Sequence, residues 1–153
     1  MKMELSGSEE VEAGREALWT ALNDPDVLAR CIPGCKEMME TAQDSYDVKL
    51  GLKVAAVSGS FDGKVALTEK VPPETCWLSV SGGGTLGTGN GSARFTITEI
   101  SADRSRLDYS GEGEIGGLVA GVGQRVLKSV SKHLTNQFFV SLRNHFSQDE
   151  KVG

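Results

Sequence analysis

Near the end of the chain, Leu127, Val130, Leu134, Phe138 and Leu142 recur at intervals of three and four residues. At about 100° per residue they share roughly 120° of arc, with Phe146 just outside it, which is the spacing of one buried helix face. Arg125, Lys128, Lys132, Asn136 and Arg143 stand opposite, and the segment carries no acidic side chain. The pattern predicts an amphipathic helix from Gly123 to Phe146, with Gly121 and Gly123 marking its start. At 1.5 Å per residue it would span roughly 34 Å, enough to cross a small sheet.

Upstream, the period shortens from helix to strand. A first strand fits Lys2 to Val11, although Gly7 and two adjacent glutamates weaken its alternation. Leu18, Trp19 and Leu22 then mark a short helix from Arg15 to Leu22, and Asp24-Pro25 opens a second through Val27, Leu28 and Cys31. Pro33-Gly34 closes it. Helices this short depend on tertiary packing, with Trp19 as the expected anchor. Glu37 to Glu40 fits a further strand, and Tyr46, Val48, Leu50, Leu52 and Val54 alternate cleanly with polar residues or glycine. Phe61, Val65 and Leu67 repeat the alternation, as do Leu78 and Val80 after Pro72-Pro73, then Phe95 and Ile97, then Leu107 and Tyr109. Seven strands joined by turns predict an α+β fold in which an antiparallel meander curls around the long helix. The positions facing that helix include Gly63, Ala93, Gly111 and Gly113. Small residues there either leave an unfilled apolar cavity or relieve the bending of the strands.

A chain of 153 residues, 39% hydrophobic and 24% charged, suits one soluble globular core. We take residues 1–146 as a single domain and 147–153 as a short tail. The absence of an apolar run of membrane-spanning length and of a signal peptide predicts a cytoplasmic protein. Three cysteines are then expected as free thiols. A net charge of −5 argues against nucleic acid as a partner. The final helix holds 4 of the 16 cations and none of the 21 acids, so its basic face is either solvated or a docking surface for an acidic partner or an anionic membrane.

Candidate chemistry is sparse. Gly82-Gly83-Gly84-Thr85-Leu86-Gly87 matches a dinucleotide fingerprint by letter, but a strand rather than a helix follows it, so a mobile hairpin tip able to gate an opening is the better reading. Cys31, Cys35, His133 and His145 lack the spacing of a zinc site, and no cofactor is expected. Asp108, Glu112 and Glu114 fall on the outward side of the last strand by parity with Tyr109. No histidine lies among the strands, so an inward acid or base is not expected, and Tyr109 is the one inward aromatic hydroxyl that stands out.

The stretch from Trp19 to Cys35, with its Asn-Asp-Pro turn and its Ile-Pro-Gly-Cys ending, resembles the carbon monoxide dehydrogenase CoxG family of the START-like (SRPBCC) superfamily. Gly113-Glu-Ile-Gly-Gly and the Gly123-Gln-Arg-Val-Leu opening of the last helix are similar to that family too, and the resemblance covers about residues 1 to 146. It implies the helix-grip fold, a seven-stranded antiparallel sheet around a C-terminal helix with two short helices after the first strand. It also implies an accessory to a molybdenum hydroxylase, linked to membrane recruitment or quinone supply, in a superfamily that holds apolar molecules between sheet and helix. Longer members carry a linker and an anchoring tail, whereas here Ser147 to Gly153 follows the helix.

The expectation is therefore a non-enzymatic carrier of a hydrophobic small molecule, a lipid or isoprenoid quinone, with peripheral membrane contact as an option and the oligomeric state unassigned. The expected lining is Leu52, Phe61, Leu78, Phe95, Tyr109, Leu118, Val122, Val126 and Val130, with Trp19 near the helical lid. The alternatives are an enzyme of the cyclase or dehydratase kind, and an assembly factor docking its partner through Lys128 and Lys132.

Overall fold

Alternating side chains make ribbons with one dry face, and such ribbons are stable only when paired side by side and covered. A computed structural model describes residues 1–54 and 57–152 of the chain. Its strands are β1 (Lys2–Val11), β2 (Cys35–Ala42), β3 (Ser45–Val54), β4 (Val57–Val71), β5 (Thr75–Gly84), β6 (Gly87–Ser101) and β7 (Arg104–Gly116). They form one antiparallel sheet in the order β1-β7-β6-β5-β4-β3-β2, so β1 and β2 are its edges. Helices α1 (Arg15–Leu22) and α2 (Pro25–Cys31) follow β1, and a short 3-10 helix, Leu118–Val122, leads into α3 (Gln124–Val152). This is the helix-grip arrangement that the alternation and the resemblance both predict.

Local chemistry explains the joints. The Asp24 side chain accepts the Asp26 amide at 2.9 Å and Pro25 begins the helix, so α2 has its start fixed twice. Gly34, at φ 74°, turns the chain from α2 into β2, and its carbonyl accepts the Gly51 amide of β3 at 2.8 Å. Two expectations change. Helix α3 runs on to Val152, because nothing between Ser147 and Val152 breaks a helix, so most of the expected tail is helical. Gly153 lies outside the described residues. The glycine run at 82–84 belongs to β5, and the turn after it is pinned rather than free. The Thr85 amide donates to Ser60 O at 3.2 Å, and Leu86 O accepts the Val119 amide at 2.6 Å.

Buried side chains fall into two separate clusters at opposite ends of the strands. The first joins α1 and α2 to the sheet through Val11, Leu18, Val48, Ile97 and Leu107, and reaches α3 at Phe139 and Leu142. The second joins Val57, Val119, Leu127 and Val130 near the start of α3. Phe139, one residue outside the expected stripe, is 4% exposed and stacks on Tyr109 with ring centroids 5.5 Å apart. Helix α2 also packs against α3, which widens the face that α3 buries.

Candidate functional site

Because register partners share a face, the inward side of the sheet can be followed from strand to strand. Gly63 of β4 pairs with Gly82 of β5, which pairs with Gly89 of β6. Two residues along, Gly91 pairs with Gly113 of β7, and Ala93 with Gly111. Gly113 and Gly111 in turn pair with Met3 and Leu5 on β1. All have the parity of Phe95, Leu107 and the other buried residues. A floor almost without side chains therefore crosses the sheet between the two clusters, and with strands ~4.8 Å apart it extends roughly 14 Å from β4 to β7.

Leu5, Phe61 and Val80 face inward beside this floor and belong to neither cluster. Leu5 remains 36% exposed and Val80 40% exposed, although Met3 and Leu78 beside them on the same face pack against the clusters. Apolar side chains on this face that still meet solvent-sized space mark a hollow, whereas an added Cβ at Gly82, Gly91 or Gly113 would come within 3 Å of backbone on the neighbouring strand, so the small residues serve both readings.

The expected lining residues distribute around this hollow. Phe61 borders it directly. Trp19, Leu78, Phe95 and Tyr109 lie in or against the first cluster, where the Trp19 and Phe95 rings meet at 6.0 Å. Leu52, Val122, Val126 and Val130 lie in or against the second. Leu118 does not join them. It is 74% exposed, because the 3-10 turn between Gly117 at φ 86° and Gly123 at φ 93° directs Val119 inward instead. Leu5 and Val80 are legible by parity with Val11 and Leu78 and are additions to the lining.

One polar group breaks the expectation that no acid points inward. Glu9 pairs with Leu107, so its carboxylate shares the buried face of the sheet. Arg143 holds it, with Nη2 donating to Glu9 Oε2 at 2.6 Å and Nε to Glu10 O at 3.2 Å. Arg143 is thus a clasp between α3 and β1 rather than part of a solvated face. Tyr109 lies nearby, its hydroxyl seated over Gly7, where any Cβ would collide with it. No hydrogen bond to that hydroxyl is made by the described residues. Tyr46 is a second inward phenol, buried in the first cluster. Asp108, Glu112 and Glu114 face outward as expected, and the Ser8 hydroxyl, then Arg106, hold the Asp108 carboxyl below its usual range.

Along the free edge of β1 a groove of about 1250 Å³ opens between sheet and helix. Met3, Leu5 and Gly111 line it from the inner face of the sheet, Lys2, Glu4, Ser6, Ser110 and Glu112 from the outward parity at the same edge, and Gln124, Arg125, Lys128, Ser131 and Lys132 from α3, and it reaches Trp77 and Ser92 on the strands beyond. A smaller groove, about 680 Å³, lies between the α2–β2 turn and Gln137, Val140 and Ser141 of α3. Among the described residues no three His, Cys, Asp or Glu side chains converge as metal ligands, and no helix is long and apolar enough to cross a membrane.

Burial pushes the thiols of Cys31, Cys35 and Cys76 and the phenols of Tyr46 and Tyr109 up from their ordinary values, and the Glu9 carboxylate adds to the shift at Tyr109. All five are neutral when protonated, so the folded chain holds these protons more tightly than the unfolded chain. Stability should be level near neutrality and fall as pH rises through the unfolded-state values, about 8.5 for thiols and about 10 for phenols. Urea midpoints measured from neutral to alkaline pH check this, and a midpoint that stays constant or rises contradicts it.

Among protein families, residues 7–147 match the model of the carbon monoxide dehydrogenase CoxG family. Among solved structures the chain is similar to a conserved protein from Geobacillus kaustophilus, at 34% identity and TM-score 0.92 over 95% of this chain and 96% of that one. It is similar in fold to a START superfamily protein from Mycobacterium smegmatis, at 18% identity and TM-score 0.71 over 95% and 97% of the two chains. The Zhui aromatase/cyclase from Streptomyces sp. R1128 has a similar fold too, at 15% identity and TM-score 0.71 over 95% and 93%. A comparison with curated proteins gave no match.

Proposed function

Given that the chain belongs to the carbon monoxide dehydrogenase CoxG family, we propose that it is a non-enzymatic carrier that holds an apolar molecule, a lipid or isoprenoid quinone, in the hollow under α3. The observation that carries this reading is the glycine floor flanked by inward but exposed Leu5 and Val80. Transfer of a hydrocarbon tail from water into that space supplies the affinity, at ~25 cal/mol per Å² of apolar surface removed. The Tyr109 hydroxyl, seated over Gly7 and without a partner among the described residues, would donate to an oxygen on the ligand. In keeping with the family, the carrier would serve a molybdenum hydroxylase.

Titration with short-tailed ubiquinone and menaquinone analogues and with long-chain lipids tests the reading. Trp19, packed on Phe95 at the border of the hollow, reports binding by its fluorescence in a Trp77→Phe variant. Saturable one-to-one binding of at least one class is expected, with the complex seen intact by native mass spectrometry. Failure of every class to saturate would overturn the proposal.

A second reading draws on Glu9. An inward carboxylate beside a phenol is the minimum for proton transfer in a cyclase-like enzyme. In our reading the engagement of Glu9 by Arg143 makes it a fastener. Unchanged ligand affinity in Glu9→Gln, together with a lower unfolding temperature, fits the fastener; accumulation of an altered product from a bound polyketide-like substrate, lost in Glu9→Gln, fits the enzyme.

A further inference from the structure

Helix α3 is hydrogen-bonded to β1 at two places among the described residues. Gln124 Nε2 donates to Lys2 O at 3.1 Å at one end, and Arg143 binds Glu9 and Glu10 O at the other. Between these fastenings no described residue of either element bonds the other, and the large groove opens there. The floor of the hollow leads to this opening, because Gly113 and Gly111 are followed across the sheet by Met3 and Leu5, both of which line the groove. The open seam meets the floor at Gly111.

The walls of the seam are unequal in charge. Arg125, Lys128 and Lys132 line it from α3, and no acid occurs from Gln124 to Ser147 to balance them. None of the three forms an ion pair among the described residues, and Lys128 and Lys132 stand one turn apart, where like charges repel. At the outer rim, on the outward face of β1 and β7, stand Glu4 and Glu112, and Lys2 answers both, at 3.9 Å and 3.5 Å. Four cations and two carboxylates thus border a groove of a chain whose net charge is −5, and the three cations of α3 have no acid on their own wall. An anion held between Lys128 and Lys132 would relieve their repulsion and gain charge-assisted hydrogen bonds.

We propose that the seam between β1 and α3 binds the head of an anionic amphiphile, a carboxylate or phosphate monoester, whose tail lies in the hollow. This rests on the hollow being the ligand site, and it favours an acidic lipid over a neutral quinone. Palmitate, hexadecyl phosphate and hexadecanol carry matched tails and separate the two contributions. Below their aggregation limits and at low ionic strength, the two anions should bind about tenfold or more tighter than the alcohol, a gap of at least ~1.4 kcal/mol. The advantage should shrink with added salt. In Lys128→Gln/Lys132→Gln the three affinities should converge while that for hexadecanol is unchanged, and inorganic phosphate alone should not compete. Equal affinities in the unaltered protein, or an anion preference that survives in the variant, would overturn the head site and leave the hollow standing. Absence of binding by all three would remove the head site, and the hollow with it where the quinone analogues also fail to saturate.

Discussion

Gly89→Leu is expected to fold, to unfold at a higher temperature than the parent, and to lose at least about tenfold in affinity for any tail that occupies the hollow. A Cβ built on Gly89 meets only Glu114 O, at 3.7 Å, an ordinary contact, and the backbone there does not require glycine. The leucine would rise from the middle of the floor into the space proposed for the ligand. Glycine within a strand costs roughly 0.5–1 kcal/mol relative to alanine, and part of the new side chain becomes buried, so stability should increase by ~1 kcal/mol. For a chain of this size that is roughly 2–4 °C. Asn90→Leu is the control. One residue along, the same side chain points to the convex face and should leave ligand affinity alone. Parent-like binding by Gly89→Leu would show that the tail lies elsewhere.

Gly34→Ala should act in the opposite sense and cost about 2–4 kcal/mol. The residue sits at φ 74°, and an added Cβ would run into Gly51 O. Left-handed backbone alone costs an alanine roughly 1–2 kcal/mol. The collision also pulls apart the bond from the Gly51 amide to Gly34 O, which seats the α2–β2 turn on β3. Thermal unfolding should begin roughly 5–15 °C lower. An unchanged midpoint would mean that the Pro33-Gly34 turn is not docked as described. On this account the Ile-Pro-Gly-Cys ending, which carries the family resemblance, is a structural joint.

Strand parity and helix period make most of the architecture legible. Seven runs of alternation and one long stripe admit few other arrangements, and parity alone puts Gly63, Ala93, Gly111 and Gly113 on the inner face. Features set by contacts between elements are harder to read. Phe139 is buried because α2 and Tyr109 reach around the side of α3, which a helical wheel cannot register. Leu118 departs from the expected lining because two glycines at positive φ reset the orientation of the chain just where period gives no guidance. Glu9 stays hidden in the sequence because Gly7 and the Glu9-Glu10 pair blur the alternation of β1, and Arg143 looks like one more solvated cation until its partner is known. Missing side chains foretell the hollow, but its opening depends on β1 being an edge and on α3 lying along it.

The bare positions occur one strand after another, from Gly113 near the seam to Gly63 at the inner end. If a tail lies along them as proposed, they act as graduations on a ruler. A methyl group at the far mark would trim the longest chain that fits, whereas bulk at the near mark would obstruct every chain alike. On the proposed function, the marks open to such tuning are Gly89 and Gly63, whereas an added Cβ at Gly82, Gly91 or Gly113 would press on neighbouring backbone and disturb the grip of the sheet itself.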